Sequence, residues 1–226
     1  MKPTLAILGT LLAIAGPLPA GTITGTVHAT GATAPDDPAG SGNYQSRRYK
    51  FAEKVDYDRL TDFVVYVDEP LASVAPAGTA PVAVTTQKNA MFEPHVLAIA
   101  AGTTVKWPNE DDIYHNVFSM SEAKEFNLGL YHQEKTPLVT FDKPGRVDVF
   151  CAIHSQMHCI ILVVPNHFFV KVDANRTFAL KDVPAGTYKL RVWHERLPSQ
   201  VKEVVVPAEG EVRVDFTLGL SELPKY

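Results

Sequence analysis

Val149-Phe-Cys-Ala-Ile-His-Ser-Gln-Met-His-Cys-Ile-Ile-Leu-Val-Val164 sets sulfur and imidazole side chains between two runs of apolar, largely β-branched residues. Such runs read as strands, so Arg146 to Phe150 and Cys159 to Val164 are expected to flank a short loop bearing Cys151, His154 and Met157. The same texture continues outward. Thr22 to His28, Phe63 to Val67, His95 to Ile99, Thr103 to Trp107 and Leu138 to Phe141 are further candidate strands, as are Phe168 to Val172, Thr177 to Leu180, Thr187 to Trp193, Lys202 to Val206 and Glu211 to Leu218. Turn chemistry separates them at Asp142-Lys-Pro-Gly145, Asp173-Ala-Asn-Arg176, Asp182-Val-Pro-Ala-Gly186 and Pro207-Ala-Glu-Gly210. Apolar residues nowhere keep a spacing of three and four, so an all-β chain with two sandwiches or barrels is expected. Gly31 to Thr61 breaks the pattern and reads as a long polar loop with a short helix near Ala52 to Leu60, the kind of insertion that often serves binding.

The loop decides the chemistry. A thiolate, imidazoles and a weak thioether suit copper in both oxidation states, and a trigonal His₂Cys set with a long axial Met is the blue-copper pattern. The loop lacks one imidazole, which His115 in Asn109-Glu-Asp-Asp-Ile-Tyr-His-Asn-Val-Phe-Ser119 supplies. Two other readings use the same residues: a Cys151–Cys159 disulfide across the loop, and a zinc site from Cys151, His154, His158 and Cys159, which leaves His115 unexplained. Gln156 and His158 flank Met157 and offer other donors near the axial position. His28, His95, His132, His167 and His194 have no local ligand partner and read as structural or surface residues, while Trp107 and Trp193 read as packing in the two cores.

His115-Asn-Val117, Phe141-Asp-Lys-Pro-Gly145 and Cys151-x-x-His-x-x-Met157 follow one another in an order that resembles the plastocyanin-like cupredoxins, particularly the amicyanin-like branch, over residues 81–164. The resemblance implies a cupredoxin Greek-key β-sandwich holding one mononuclear type 1 copper. His115 and His154 would bind through their rings, Cys151 as thiolate and Met157 axially, with Asn116 beside the Cys151 sulfur as a tuning residue. It also implies that the His154 edge is the electron exit, where partners would meet Ile113, Ile153 and Gln156. Phe92-Glu-Pro-His95, Gly102-Thr-Thr-Val-Lys-Trp107 and Val192-Trp-His-Glu-Arg-Leu-Pro198 make the chain similar to a subfamily named for methylamine utilisation.

Phe168-Phe-Val-Lys-Val172 onward, with Asp182-Val-Pro-Ala-Gly-Thr-Tyr-Lys-Leu-Arg-Val192, resembles carboxypeptidase regulatory-like, transthyretin-like β-sandwiches. The opening strands of such a module, Gly25-Thr-Val27 and Val64-Val-Tyr-Val67, lie on the far side of the cupredoxin-like segment. The expected organisation is therefore a copper unit, 81–164, inserted between the two parts of a discontinuous sandwich, 21–80 and 165–226.

Lys2, the apolar run from Leu5 to Ala15, and Pro17 and Pro19 before Ala20 read as a secretory signal over residues 1–20, which places the protein in the periplasm. No later stretch is long and apolar enough to span a bilayer. Loss of Lys2 leaves 20 basic against 25 acidic residues, a net charge of −5, which disfavours nucleic acid and favours a basic partner. No catalytic motif competes: there is no His-Glu-x-x-His, no Gly-x-Ser-x-Gly and no phosphate loop. The sequence thus points to a non-catalytic one-electron carrier between protein redox partners, with a periplasmic copper carrier or sensor as the competing reading.

Overall fold

The computed structural model describes residues 19–31, 56–71 and 82–220. Most of the expected signal and residues 32–55 of the expected polar loop lie outside the described residues. Where a helix was expected near Leu60, the described part of that segment forms only a 3₁₀ turn, Tyr57–Arg59, capped by the Asp56 side chain. Every other regular element among the described residues is a strand, and they form the expected all-β class with two sandwiches.

Two sheets draw on both ends of the sequence. In the first, β1 (Ala20–Gly31) pairs antiparallel with β14 (Thr177–Pro184) and parallel with β17 (Glu211–Arg213) and β18 (Phe216–Leu220). Gly25 is required there by close approach, since a Cβ would overlap the Val214 carbonyl. In the second sheet, β2 (Val64–Val67) lies between β13 (Phe169–Lys171) and β15 (Gly186–His194), and β16 (Leu197–Val206) closes the edge. Ile23, Val27, Phe178, Leu180 and Phe216 from the first sheet and Val65, Val67, Leu190, Val192 and Val204 from the second form one core.

The intervening residues pair among themselves. A five-stranded sheet runs β6 (Val96–Ala100), β12 (His158–Val164), β11 (Gly145–Phe150), β8 (His115–Ser121), β9 (Lys124–Tyr131). Facing it are β3 (Val82–Val84), β7 (Thr103–Lys106) and β10 (Leu138–Phe141), with the hairpin of β4 (Thr86–Lys88) and β5 (Met91–Glu93) alongside. Trp107, Val117, Phe141, Val147, Val149, Cys159 and Ile161 fill this second core, where Trp107 meets Phe92 edge-on at 6.0 Å.

A third apolar layer joins the two sandwiches. Val64 and Tyr66 of β2 and Val96, Ile160, Leu162 and Val164 of the five-stranded sheet bury each other, with Phe169 and Trp193 packed against them. Trp193 therefore belongs to this seam and not to the core of a single sandwich. β2 and β12 are buried on both faces, the reason Val64-Val-Tyr-Val67 and Cys159-Ile-Ile-Leu-Val-Val164 are continuous apolar runs with no polar alternation.

Candidate metal centre

The site forms where β8 begins and β11 ends. His115, fully buried, opens β8 opposite Tyr131 of β9. Cys151 follows β11, and the loop closes on itself: Cys151 N–H donates to the Met157 carbonyl (3.2 Å) and Met157 N–H to the His154 carbonyl (3.0 Å). Cys151 and Met157 are buried and His154 is half-exposed. The His115 and His154 Nδ1 atoms lie 3.1 Å apart, each 3.9 Å from Cys151 Sγ. Among the described residues this is the metal-capable cluster, its donor atoms all within 4.8 Å of one another.

His115 is oriented from behind. Its Nε2 lies 2.8 Å from Asp111 Oδ2. A carboxylate only accepts, so Nε2 carries the proton and Nδ1 presents its lone pair to the cluster. Asp111 is itself held by the turn of the β4–β5 hairpin, accepting from Asn89 N–H (2.6 Å) and Ala90 N–H (2.9 Å). Both turn residues sit at φ 53°, which aims successive N–H groups at one carboxylate. Burial alone would raise the Asp111 pKa; the Ala90, His115 and Asn89 contacts outweigh it and hold the carboxyl below its ordinary range. Asn109 braces the same loop, accepting from Asp111 N–H (2.9 Å) and donating to the Ile113 carbonyl (2.8 Å).

The donor set fits copper. Two imidazole nitrogens and one thiol converge in a mostly buried pocket, with one ring presented through a hydrogen bond on its far nitrogen. Asn116 is buried and its amide donates to Asn127 Oδ1 (2.8 Å), tying β8 to β9. The other donors near the loop lie elsewhere. His158 points to the opposite face of β12, with Nε2 2.9 Å from Asp148 Oδ1 and its ring stacked on Phe150 at 4.8 Å. Cys159 is fully buried in the second core; burial, then the nearby Asp148 charge, raises its pKa and keeps it a thiol. Both cysteines are unpaired.

Asp111 carries no sequence signature, because an acid in a polar loop is ordinarily solvated and its partners Asn89 and Ala90 lie some twenty residues upstream. Asp111→Ala is expected to weaken copper binding by about 10- to 100-fold, the usual cost of removing the partner of a ligand histidine. Competition titration against a chelator checks this; an unchanged affinity would mean that packing alone orients His115.

Comparison with known proteins gives one family match. Residues 80–164 match the copper binding proteins of the plastocyanin/azurin family. No curated protein matches the chain. Among solved structures, a copper-containing nitrite reductase from Thermus scotoductus is 28% identical over 42% of this chain, with a TM-score of 0.36, and this chain spans only 25% of that enzyme. A purple cupredoxin from Nitrosopumilus maritimus is 24% identical over 36% of this chain and 98% of its own, with a TM-score of 0.33. A Cu(I) amicyanin variant is 22% identical over 45% of this chain and 98% of its own, at 0.34. Among the described residues no helix is long and apolar enough to cross a membrane. The family match and the His/Cys/His cluster together support a copper-binding cupredoxin in residues 80–164.

Proposed function

We propose that the chain is an exported, periplasmic one-electron carrier whose type 1 copper is held by His115, Cys151 and His154, with Met157 as the axial donor. The observation that carries this reading is the convergence of buried His115 Nδ1 and Cys151 Sγ on half-exposed His154 Nδ1. Bound copper would supply the Cu(II)/Cu(I) couple. The chain's own part is to hold its donors still: His115 by Asp111, and the 151–157 loop by its two internal hydrogen bonds. A donor set of mixed softness that rearranges little suits a shuttle better than a catalyst.

His154 is the exit. Ile113 and Tyr114, just before His115, and Ile153, beside His154, are about half exposed, at 45%, 57% and 51%, and with Gln156 they are the partner contacts of this reading. Partners of basic surface match the net charge. The same reading places the copper unit as an insertion, 81–164, in a transthyretin-like sandwich made of 21–80 and 165–226. The pairing of β1 with β14, β17 and β18, and of β2 with β13 and β15, supports it.

A copper carrier would use the same ligands, so rates separate the two roles. Electron self-exchange much faster than copper transfer to an apo-acceptor is the expected result; the reverse order makes the protein a carrier. Met157→Leu is expected to retain copper and raise the reduction potential, because losing the thioether donation disfavours Cu(II). Protein-film voltammetry measures it. An unchanged potential removes Met157 from the ligand set.

A further inference from the structure

The turn between β15 and β16 of the second sandwich meets the cupredoxin segment at His95 and Arg146. Glu195 Oε2 lies 2.9 Å from His95 Nε2, and His95 Nδ1 lies 3.2 Å from the His158 carbonyl. The carboxylate and the carbonyl are both acceptors, so a neutral ring serves one of them and an imidazolium serves both. His158 Nε2 meets Asp148 Oδ1 at 2.9 Å, Asp148 takes the Arg146 guanidinium through two bonds of 2.7 and 2.9 Å, and Arg146 Nη1 donates to the Glu195 carbonyl at 3.2 Å. The contacts close into a ring: Glu195, His95, His158, Asp148, Arg146 and back to Glu195.

Its position relative to the ligand loop gives the ring its interest. His158 directly follows Met157, and its ring stacks on Phe150, which directly precedes Cys151. The two stems of the 151–157 loop are thus clasped together on the sheet face away from the metal cluster. His95 adds a backbone tie, its carbonyl accepting from Ile160 N–H (2.8 Å). The Arg146–Asp148 pair and the stack lie within the cupredoxin segment; Glu195 is the member of the ring that the second sandwich contributes.

We propose that Glu195 is a positioning residue for the copper site: through His95 and His158 the second sandwich fixes the stems of the ligand loop, and with them the placement of Met157 relative to Cys151. The proposal rests on the ligand assignment above. It gives the appended sandwich a part in setting the redox properties of a centre none of whose ligands it supplies.

Glu195→Ala, Glu195→Gln and a control in an exposed surface pair outside the ring, Lys143→Gln (Lys143 Nζ to Glu122, 2.7 Å), test it. Two readouts are taken: the reduction potential and visible spectrum of the copper-loaded protein, and amide hydrogen exchange at Met157 and Ile160 in the metal-free protein. Glu195→Ala is expected to shift the potential and the band ratios at full copper stoichiometry, and to speed exchange at both amides at least tenfold. Glu195→Gln, which keeps an acceptor for His95, should move both readouts back toward wild type, and Lys143→Gln should leave them unchanged. Potential and spectrum identical to wild type in Glu195→Ala overturn the proposal, even if exchange quickens, because the turn would then be a structural tie only. If wild-type protein shows no blue band, the ligand assignment fails on its own, and the exchange arm still decides whether Glu195 holds the loop.

Discussion

Cys151→Ser is expected to abolish the intense visible absorption of the oxidised, copper-loaded protein. That band arises from charge transfer between a thiolate and Cu(II), and of the two cysteines only Cys151 has its sulfur among the imidazole nitrogens. The serine hydroxyl gives no such transition, so the loss should be complete even where some copper stays bound. Cys159→Ala is the matched control: its side chain packs in the second core outside the cluster, so band and stoichiometry should persist with only a small loss of stability. Absorption and EPR spectra of wild type and both variants read the result. A pale, ordinary Cu(II) spectrum in the wild type, or a band that survives Cys151→Ser, would sink the blue-copper reading.

The second large effect concerns the seam. Ile160 and Ile161 are adjacent in β12 and both fully buried, yet Ile160 faces the layer shared with β2 while Ile161 faces the core under the metal site. Truncating either to Ala removes three methyl or methylene groups from a packed interior and should cost about 2–5 kcal/mol. For a chain of this size that corresponds to about 2–4 °C in Tm for each kcal/mol. Since the seam is as well buried as either core, both variants are expected to lower one shared unfolding transition by similar amounts. Calorimetry showing two transitions, with Ile160→Ala moving neither, would mean that the sandwiches are thermodynamically separate.

Much of this was legible in the sequence, for reasons specific to each element. β1 alternates buried and partly exposed residues from Ala20 to Val27, so its period of two is plain. That Cys151 and His154 belong to a metal-capable cluster was legible because Cys, His and Met seldom share one turn between apolar strands. β9 was missed: Lys124-Glu-Phe-Asn-Leu-Gly-Leu-Tyr131 is an edge strand whose polar and glycine residues dilute the pattern. The β4–β5 hairpin was missed because its strands are three residues each and its turn is Asn89-Ala90, with an alanine where glycine usually gives the signal. The unbroken apolar runs in β2 and β12 did announce burial on both faces, but nothing local says which surface covers the second face. Asp111 and Glu195 share that difficulty, since each acts through a partner distant in sequence.

The pairing of β1 also orders events in time. Thr26 N–H is received by Asp215, 189 residues further on, at 2.8 Å, and every strand partner of β1 begins at Thr177 or later. The strands between Val82 and Val164, by contrast, find their ladder partners within that stretch. A chain released from its N-terminus can therefore complete the sheets of residues 82–164 while β1 is still waiting, since loop closure over so long a span is slow. Until β13 and β15, which follow Val164, bring β2 into its sheet, Ile160, Leu162 and Val164 would lack the cover that β2 gives them, an adhesive sheet face on a newly made chain. Misassembly would thus be favoured most in the delay between closure of residues 82–164 and arrival of the last strand, the period in which a holding chaperone would do most good.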